Sequence, residues 1–118
     1  PASFEVYSGN DDHTLALLAL GAVGVVGVAT HWIGLEMAEL VAAASKGDLA
    51  TAREINGRLL ESYLFETGAT APNPIPAKAM MRTLGLAVGA PAHFLQHRAR
   101  ERQRDKNRNQ ARGWAAGV

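Results

Sequence analysis

Residues 21–29 read GAVGVVGVA, and this stretch decides the fold class of the chain. Gly24 to Ala29 is a continuous apolar run rich in valine, which is typical of a parallel strand buried on both faces. Phe4 to Tyr7 is rich in β formers and predicts an earlier short strand. His13 to Leu20 predicts the helix between them, ending at Gly21. This order predicts a βαβ unit with a parallel sheet and a right-handed crossover.

Three further helices are predicted downstream. Trp32 to Ala44 and Leu49 to Glu66 are amphipathic, and Asp48 is the N-cap candidate of the second. Residues 71–76 read APNPIP and predict an extended path, because the alternate prolines disfavour a helix. Ala77 to Leu84 then predicts the third helix. The predicted apolar stripes consist of Ile33, Met37, Leu40, Val41 and Ala44 in the first helix and Ala52, Ile55, Leu59, Leu60 and Tyr63 in the second.

Composition excludes several classes of protein. Apolar residues make up 47% of the 118 residues and charged residues 19%, which is too apolar for a disordered chain. Cysteine is absent, which excludes disulfide scaffolds, thiol catalysis and cysteine zinc sites. Because two strands alone would leave unpaired sheet edges, we expect the chain to be part of a larger α/β protein or to need partners.

The uncharged stretch from His13 to Leu35 is long enough to raise the hypothesis of a single membrane span. Its dense glycines are costly inside a helix, and both flanks are acidic, with Asp11, Asp12 and Glu36. Gly21 also divides it naturally into a helix and a strand. We therefore expect no membrane span.

Five segments together resemble one enzyme family. They are FEVYSGND at residues 4–11, GAVGVVGV at 21–28, GDLATAREIN at 47–56, APNPIPAK at 71–78 and LGL at 84–86. Their sequences and spacing resemble the C-terminal segment of the dihydrodipicolinate synthase (4-hydroxy-tetrahydrodipicolinate synthase) family. The resemblance covers about residues 3–89 and corresponds to the last third of a family member.

The resemblance implies an α/β fold, namely the last two strand–helix units of a (β/α)8 TIM barrel followed by C-terminal helices. It implies barrel units at residues 1–46 and a C-terminal helical region at 47–92. The family is cytoplasmic, usually homotetrameric and without a cofactor. It condenses pyruvate with aspartate semialdehyde through a lysine Schiff base, in the diaminopimelate route of lysine biosynthesis. The resemblance does not distinguish this enzyme from sister lyases of the same class, which use other second substrates.

The site residues that the resemblance transfers are Gly9, in the loop after strand seven, and Val26, on strand eight, whose backbone lines the pyruvate pocket. Barrel active sites do form at the carboxyl ends of strands, and glycine lets a backbone approach a ligand. The alternative is a purely structural role, in which Gly9 makes a tight turn and Val26 fills the barrel. The catalytic lysine, the proton relay and the substrate-binding arginine all lie upstream, so no residue here is catalytic. Lys46 and Lys78 are interpreted as surface lysines, and the chain alone is predicted to be inactive and to need the N-terminal barrel portion.

Other polar groups favour structural roles. His31 follows a strand and is expected to cap a helix or bind backbone. Asn10, Asp11 and Asp12 could be metal ligands, but acids are also preferred at the N-terminus of the helix that follows. His93 and His97 share a helical spacing without a zinc motif, so no metal site is predicted.

Residues 93–118 form a basic tail with seven basic and two acidic residues, against five and nine in residues 1–92. Three interpretations of this tail stay open. It could be the product of a shifted reading frame, since the resemblance ends near residues 89–91, or a natural disordered tail. The third, a nucleic-acid-binding arm with Trp114 stacking, would make the chain a small helical interaction protein. We regard nucleic-acid binding as the weakest of the three.

Overall fold

The computed structural model describes residues 4–68, 71–90, 100–101 and 103–108. The chain divides into two compact units, Pro1–Glu66 and Thr67–Val118. The elements of the first unit are, in order, β1 (Tyr7–Ser8), α1 (Thr14–Ala19), β2 (Gly24–Val25), α2 (Thr30–Ser45) and α3 (Leu49–Glu66). A single 3-10 turn, Asp11–His13, precedes α1.

The two strands pair in parallel, as the valine-rich run predicts. Tyr7 lies opposite Gly24, and Ser8 lies opposite Val25. α1 is the crossover between them, so the predicted strand–helix–strand order is present. Both strands are shorter than predicted, because a ladder extends only where a partner strand lies alongside, and each strand has one neighbour in the described part of the chain.

The core of the first unit lies between α2 and α3. Its buried members are Ala29, Ile33, Met37, Leu40, Ile55, Leu59 and Tyr63. Val41 and Ala44, at the edge of the predicted stripe, are partly buried. The predicted stripe also includes Leu60, which is 51% exposed and so lies outside the buried face of the helix. It is one position beyond Leu59 and therefore points about 100° away from the narrow buried stripe.

The α2–α3 packing puts α3 in the same compact unit as the strands. The resemblance implies a division after residue 46, and Gly47 turns the chain there with a φ of +79°. A short glycine turn joins two helices without separating them, because their apolar stripes bury each other. The assignment of residues 1–46 and 47–92 to parts of a larger barrel stays a prediction.

Helix α3 begins at the cap that the sequence predicts. The Thr51 amide donates to Asp48 Oδ1 at 3.1 Å, and the Thr51 hydroxyl donates to Asp48 Oδ2 at 2.7 Å. These hydrogen bonds lower the pKa of Asp48, since they favour the charged carboxylate. The predicted Asp48 N-cap is confirmed.

The second unit contains α4 (Ile75–Thr83). The helix begins two residues earlier than predicted, so the expectation that Ile75 and Pro76 are extended was wrong. Proline is tolerated in the first helical turn because the N–H that it lacks would have no partner there. Gly85 follows the helix with a φ of +82°. In the tail, residues 100–101 and 103–108 are helical.

The uncharged stretch from His13 to Leu35 does not form one helix. It contains α1, β2 and the first residues of α2, with Gly21 at a φ of +100° between the first two. Among the described residues, no helix has both the length and the apolar character that crossing a membrane requires.

Candidate functional site at the strand ends

The two site residues that the sequence singled out lie side by side. Gly9 directly follows β1, and Val26 directly follows β2, at the carboxyl ends of parallel strands. The Val26 amide donates to the Ser8 carbonyl at 2.8 Å, which extends the ladder by one step. The Val26 side chain is 73% exposed and so fills no core within the described chain.

Nothing in the described chain requires a glycine at position 9. A Cβ there would meet no atom within 4 Å, and the backbone is outside the positive-φ region that favours glycine. The chain bends at Gly9 and Asn10, so the alternative that Gly9 serves a turn stays open.

Buried hydroxyls hold the loop that contains Gly9. Ser8 Oγ donates to the Asn10 carbonyl at 2.7 Å, and Thr14 Oγ1 donates to the same oxygen at 3.1 Å. Both Ser8 and Thr14 are fully buried. The Asn10 side chain lies 3.3 Å from His13 Nδ1, and so it makes no N-cap hydrogen bond to the following turn.

Asp11 caps a helix, but not the helix that the sequence suggested. It is 2% exposed, and its Oδ2 accepts the amides of Val28 at 2.7 Å and Ala29 at 3.2 Å. It therefore serves the N-terminus of α2 rather than the helix that directly follows it. Asp11 Oδ1 is buried and has no hydrogen-bond partner among the described residues.

Gly27 makes room for this carboxylate. A Cβ at position 27 would overlap the Asp11 side chain, within 2.6 Å of its Cγ. Sequence reasoning missed both the contact and its reason, because the bonded groups are 17 residues apart. The available signal was the glycine inside an otherwise β-branched run, which often marks a close backbone approach.

His31 has the backbone role predicted for it. Its Nδ1 donates to the Val28 carbonyl at 2.8 Å, one helical turn back, and the residue is exposed. Among the described residues, no three His, Asp or Glu side chains gather as a metal site would require. His93 and His97 lie outside the described residues.

The strands present apolar side chains to solvent. Tyr7 in β1 is 52% exposed, and Val26, directly after β2, is exposed as well. The other exposed apolar residues flanking the strands are Phe4, Val6 and Val23. A cleft of about 430 Å³ also runs between the strand pair and α2. In the described chain nothing covers these surfaces.

The lysines and the tail lie elsewhere in the chain. Lys46 is exposed directly after α2, and Lys78 on α4 donates to the Ala90 carbonyl at 3.1 Å. In the described part of the tail, Arg104 and Arg108 are exposed and share one small surface hollow with acidic residues. Arg100 and Lys106 are also exposed, whereas Arg98, Arg102, Arg112 and Trp114 of the basic tail lie outside the described residues.

Curated relatives match most of this chain, but the match covers only a part of each relative. The 4-hydroxy-tetrahydrodipicolinate synthase of Thermosynechococcus vestitus is 44% identical over 91 residues, 77% of this chain and 30% of the relative. The enzyme of the same name from Microcystis aeruginosa is 46% identical over 89 residues, 75% of this chain and 29% of the relative. The chain thus spans about 30% of the length of these relatives.

Solved structures give the same result. The crystal structure of dihydrodipicolinate synthase from Aquifex aeolicus has a TM-score of 0.65 and 35% identity, covering 91% of this chain and 38% of that chain. The chloride-inhibited synthase from Acinetobacter baumannii, complexed with pyruvate, has a TM-score of 0.62 and 27% identity, covering 86% and 37%.

The sequence model described as "Dihydrodipicolinate synthetase family" matches residues 1–109. This match extends past residues 89–91 and takes in part of the basic tail, so the expectation that the resemblance ends near residue 89 is wrong. With the matched relatives and structures, it accounts for the strands, the helices and the proline motif together. The chain belongs to the dihydrodipicolinate synthetase family.

Proposed function

We propose that this chain is the C-terminal part of a dihydrodipicolinate synthase-type lyase, in which it supplies the last two strand–helix units of a (β/α)8 barrel and the helices after them. The parallel pair β1–β2 has one crossover helix, as consecutive units of such a barrel do. A two-stranded parallel sheet is not stable by itself. The exposed side chains of Phe4 and Tyr7 and the cleft beside α2 are surfaces that the six preceding units would cover.

The pyruvate pocket of the completed barrel is proposed to be lined by Gly9 and Val26. The observation that carries this assignment is the 2.8 Å hydrogen bond from the Val26 amide to the Ser8 carbonyl, which keeps the two residues adjacent at the strand ends. Active sites of such barrels lie at this end. Support for pyruvate as the ligand comes from the Acinetobacter baumannii synthase, whose structure was determined with pyruvate.

In the proposed reaction a lysine in the preceding barrel strands forms a Schiff base with pyruvate, and water leaves. Loss of a proton from the pyruvate methyl group gives the enamine, whose methyl carbon attacks the aldehyde carbon of aspartate semialdehyde and forms the new carbon–carbon bond. The contribution of this chain is positional: the Val26 carbonyl orients the keto acid, and Gly9 keeps space for it. The complete enzyme is proposed to be a cytoplasmic homotetramer.

The test is complementation with a barrel that lacks this segment. The chain would be coexpressed with the Thermosynechococcus vestitus synthase truncated before the 91-residue region that matches this chain. We expect a complex by native mass spectrometry, condensation of pyruvate with aspartate semialdehyde, and a borohydride-trapped pyruvate adduct on the partner polypeptide. The chain alone should give no adduct. An adduct on the isolated chain, or a well-formed complex without activity, would contradict the proposal.

Gly9→Val provides the residue-level test. A Cβ at position 9 has open space in the chain, so the substitution should leave the thermal unfolding of the chain unchanged and raise the KM for pyruvate in the complex by at least about tenfold. Gly57→Ala on α3 is the matched control, since position 57 is also open. It should increase chain stability slightly and leave pyruvate kinetics unchanged. Unaltered pyruvate kinetics in Gly9→Val would remove Gly9 from the site.

A further inference from the structure

We propose that Asp11 is a positioning residue for the pyruvate pocket. Its buried carboxylate fixes the backbone after Val26 and so fixes the direction of the Val26 carbonyl. This inference rests on the proposed function, because it assumes that the Val26 carbonyl orients the keto acid.

The Val26 peptide is held on its N-terminal side by the sheet. Its amide donates to the Ser8 carbonyl at 2.8 Å. On its C-terminal side the next residue is Gly27, and glycine has the widest conformational freedom of all residues. Without further contacts, the peptide plane that carries the Val26 carbonyl would be free to rotate.

Asp11 removes that freedom from the next two peptides. Its Oδ2 accepts the amides of Val28 and Ala29 at 2.7 and 3.2 Å, and the side chain is 98% buried. Hydrogen bonds to a charged acceptor are stronger than neutral ones, and burial excludes competing water. Thr30 Oγ1 adds a 2.7 Å hydrogen bond to the Gly27 carbonyl. The segment that starts at Val26 is thereby fixed at both ends.

The pairing of Asp11 with Gly27 is mutual. Only a glycine at position 27 leaves space for the carboxylate, because a Cβ would overlap it. The same glycine makes the carboxylate necessary, since it loosens the backbone that the hydrogen bonds then hold. The two residues therefore act as one unit, and their substitutions should not be additive.

A residue that only capped a helix would stabilise α2 without affecting pyruvate binding. Kinetics of the complemented enzyme therefore distinguish a capping role from a positioning role. We expect Asp11→Ala to raise the KM for pyruvate by about tenfold or more, the factor of one lost hydrogen bond to a charged acceptor, with a smaller change in the KM for aspartate semialdehyde. Asp11→Asn keeps an oxygen acceptor without the charge and should recover part of the loss. Asp12→Ala, next to it but exposed, is the matched control and should match wild type. Loss of thermal stability with an unchanged pyruvate KM would overturn the proposal.

The double-mutant cycle with Gly27 gives the second arm. Gly27→Ala should reproduce the Asp11→Ala phenotype, and it should add little in the Asp11→Ala background, where its methyl group has room. Full additivity, or a harmless Gly27→Ala, would overturn the pairing.

Amide hydrogen exchange on the full chain separates this inference from the proposed function. Val28 and Ala29 should exchange at least about tenfold faster in Asp11→Ala than in wild type or Asp12→Ala. Unchanged exchange would refute the positioning role even where the complex is active. If exchange responds as expected but the wild-type complex is inactive, then the proposed function fails, and with it the pocket that Asp11 would serve.

Discussion

Leu40 on α2 offers the sharpest test of the packing between α2 and α3. Its side chain is fully buried between α2 and α3, and Leu40→Ala removes three carbon atoms from that core. At about 0.8 kcal/mol per buried methylene-sized group, the transfer term is about 2.4 kcal/mol. The cavity left behind raises the expected loss in free energy of unfolding to about 3–4 kcal/mol. The melting temperature should fall by roughly 10 °C or more.

Leu35→Ala is the matched control, because Leu35 lies on the same helix and is 82% exposed. Both substitutions change helix propensity equally, so the difference between them measures burial alone. Urea unfolding of the full chain followed by circular dichroism gives both values. We expect Leu35→Ala to change the free energy of unfolding by less than about 0.5 kcal/mol. Equal effects of the two substitutions, or a loss below about 1 kcal/mol for Leu40→Ala, would refute the α2–α3 core.

Three further predictions follow from single side chains. Burial, with added repulsion from nearby acids, raises the pKa of Tyr63 to about 12. The neutral phenol therefore contributes its full stabilisation to the folded state below pH 10, and this stabilisation is lost as the pH rises to about 12. The difference in unfolding free energy between wild type and Tyr63→Phe should therefore change by about 2–3 kcal/mol across that window, and a flat difference would contradict the raised pKa. Asp48→Ala should lower the melting temperature at pH 7 by less than Leu40→Ala does. The difference from wild type should shrink as the pH falls through the lowered pKa of Asp48, because protonation removes the negative charge that the capping hydrogen bonds stabilise. Trp32 meets Phe65 edge-on with ring centroids 6.0 Å apart, so Phe65→Leu should shift Trp32 fluorescence, and an unchanged spectrum would argue against the contact.

Local signals were sufficient for the helices and for the strand order. The period of the apolar residues located α2 and α3, and Asp48 marked the start of α3, because an N-cap acts on a helix that begins at its own position. The wrong predictions for Leu60 and Pro76 also have local causes. Leu60 is apolar yet exposed, since apolar character does not show which side of a stripe meets a neighbour. Pro76 is helical, since proline is excluded from the interior of a helix but not from its first turn.

The pairing of Gly9 with Val26 was within reach of the sequence, because parallel strands in one βαβ unit end at the same edge of the sheet. The role of Asp11 was not. Its position before α1 indicated a cap for that helix, and only the return of the chain at β2 brought the amides of Val28 and Ala29 to it.

The sequence by itself determined the family, the element order and the positions of the strand ends, because periodicity, turn chemistry and motif spacing are properties of neighbouring residues. The tertiary structure alone decided which helix Asp11 caps, why position 27 is glycine, and which apolar side chains stay exposed. Each of these depends on the approach of groups that are distant along the chain, and that approach is set by packing rather than by local preference.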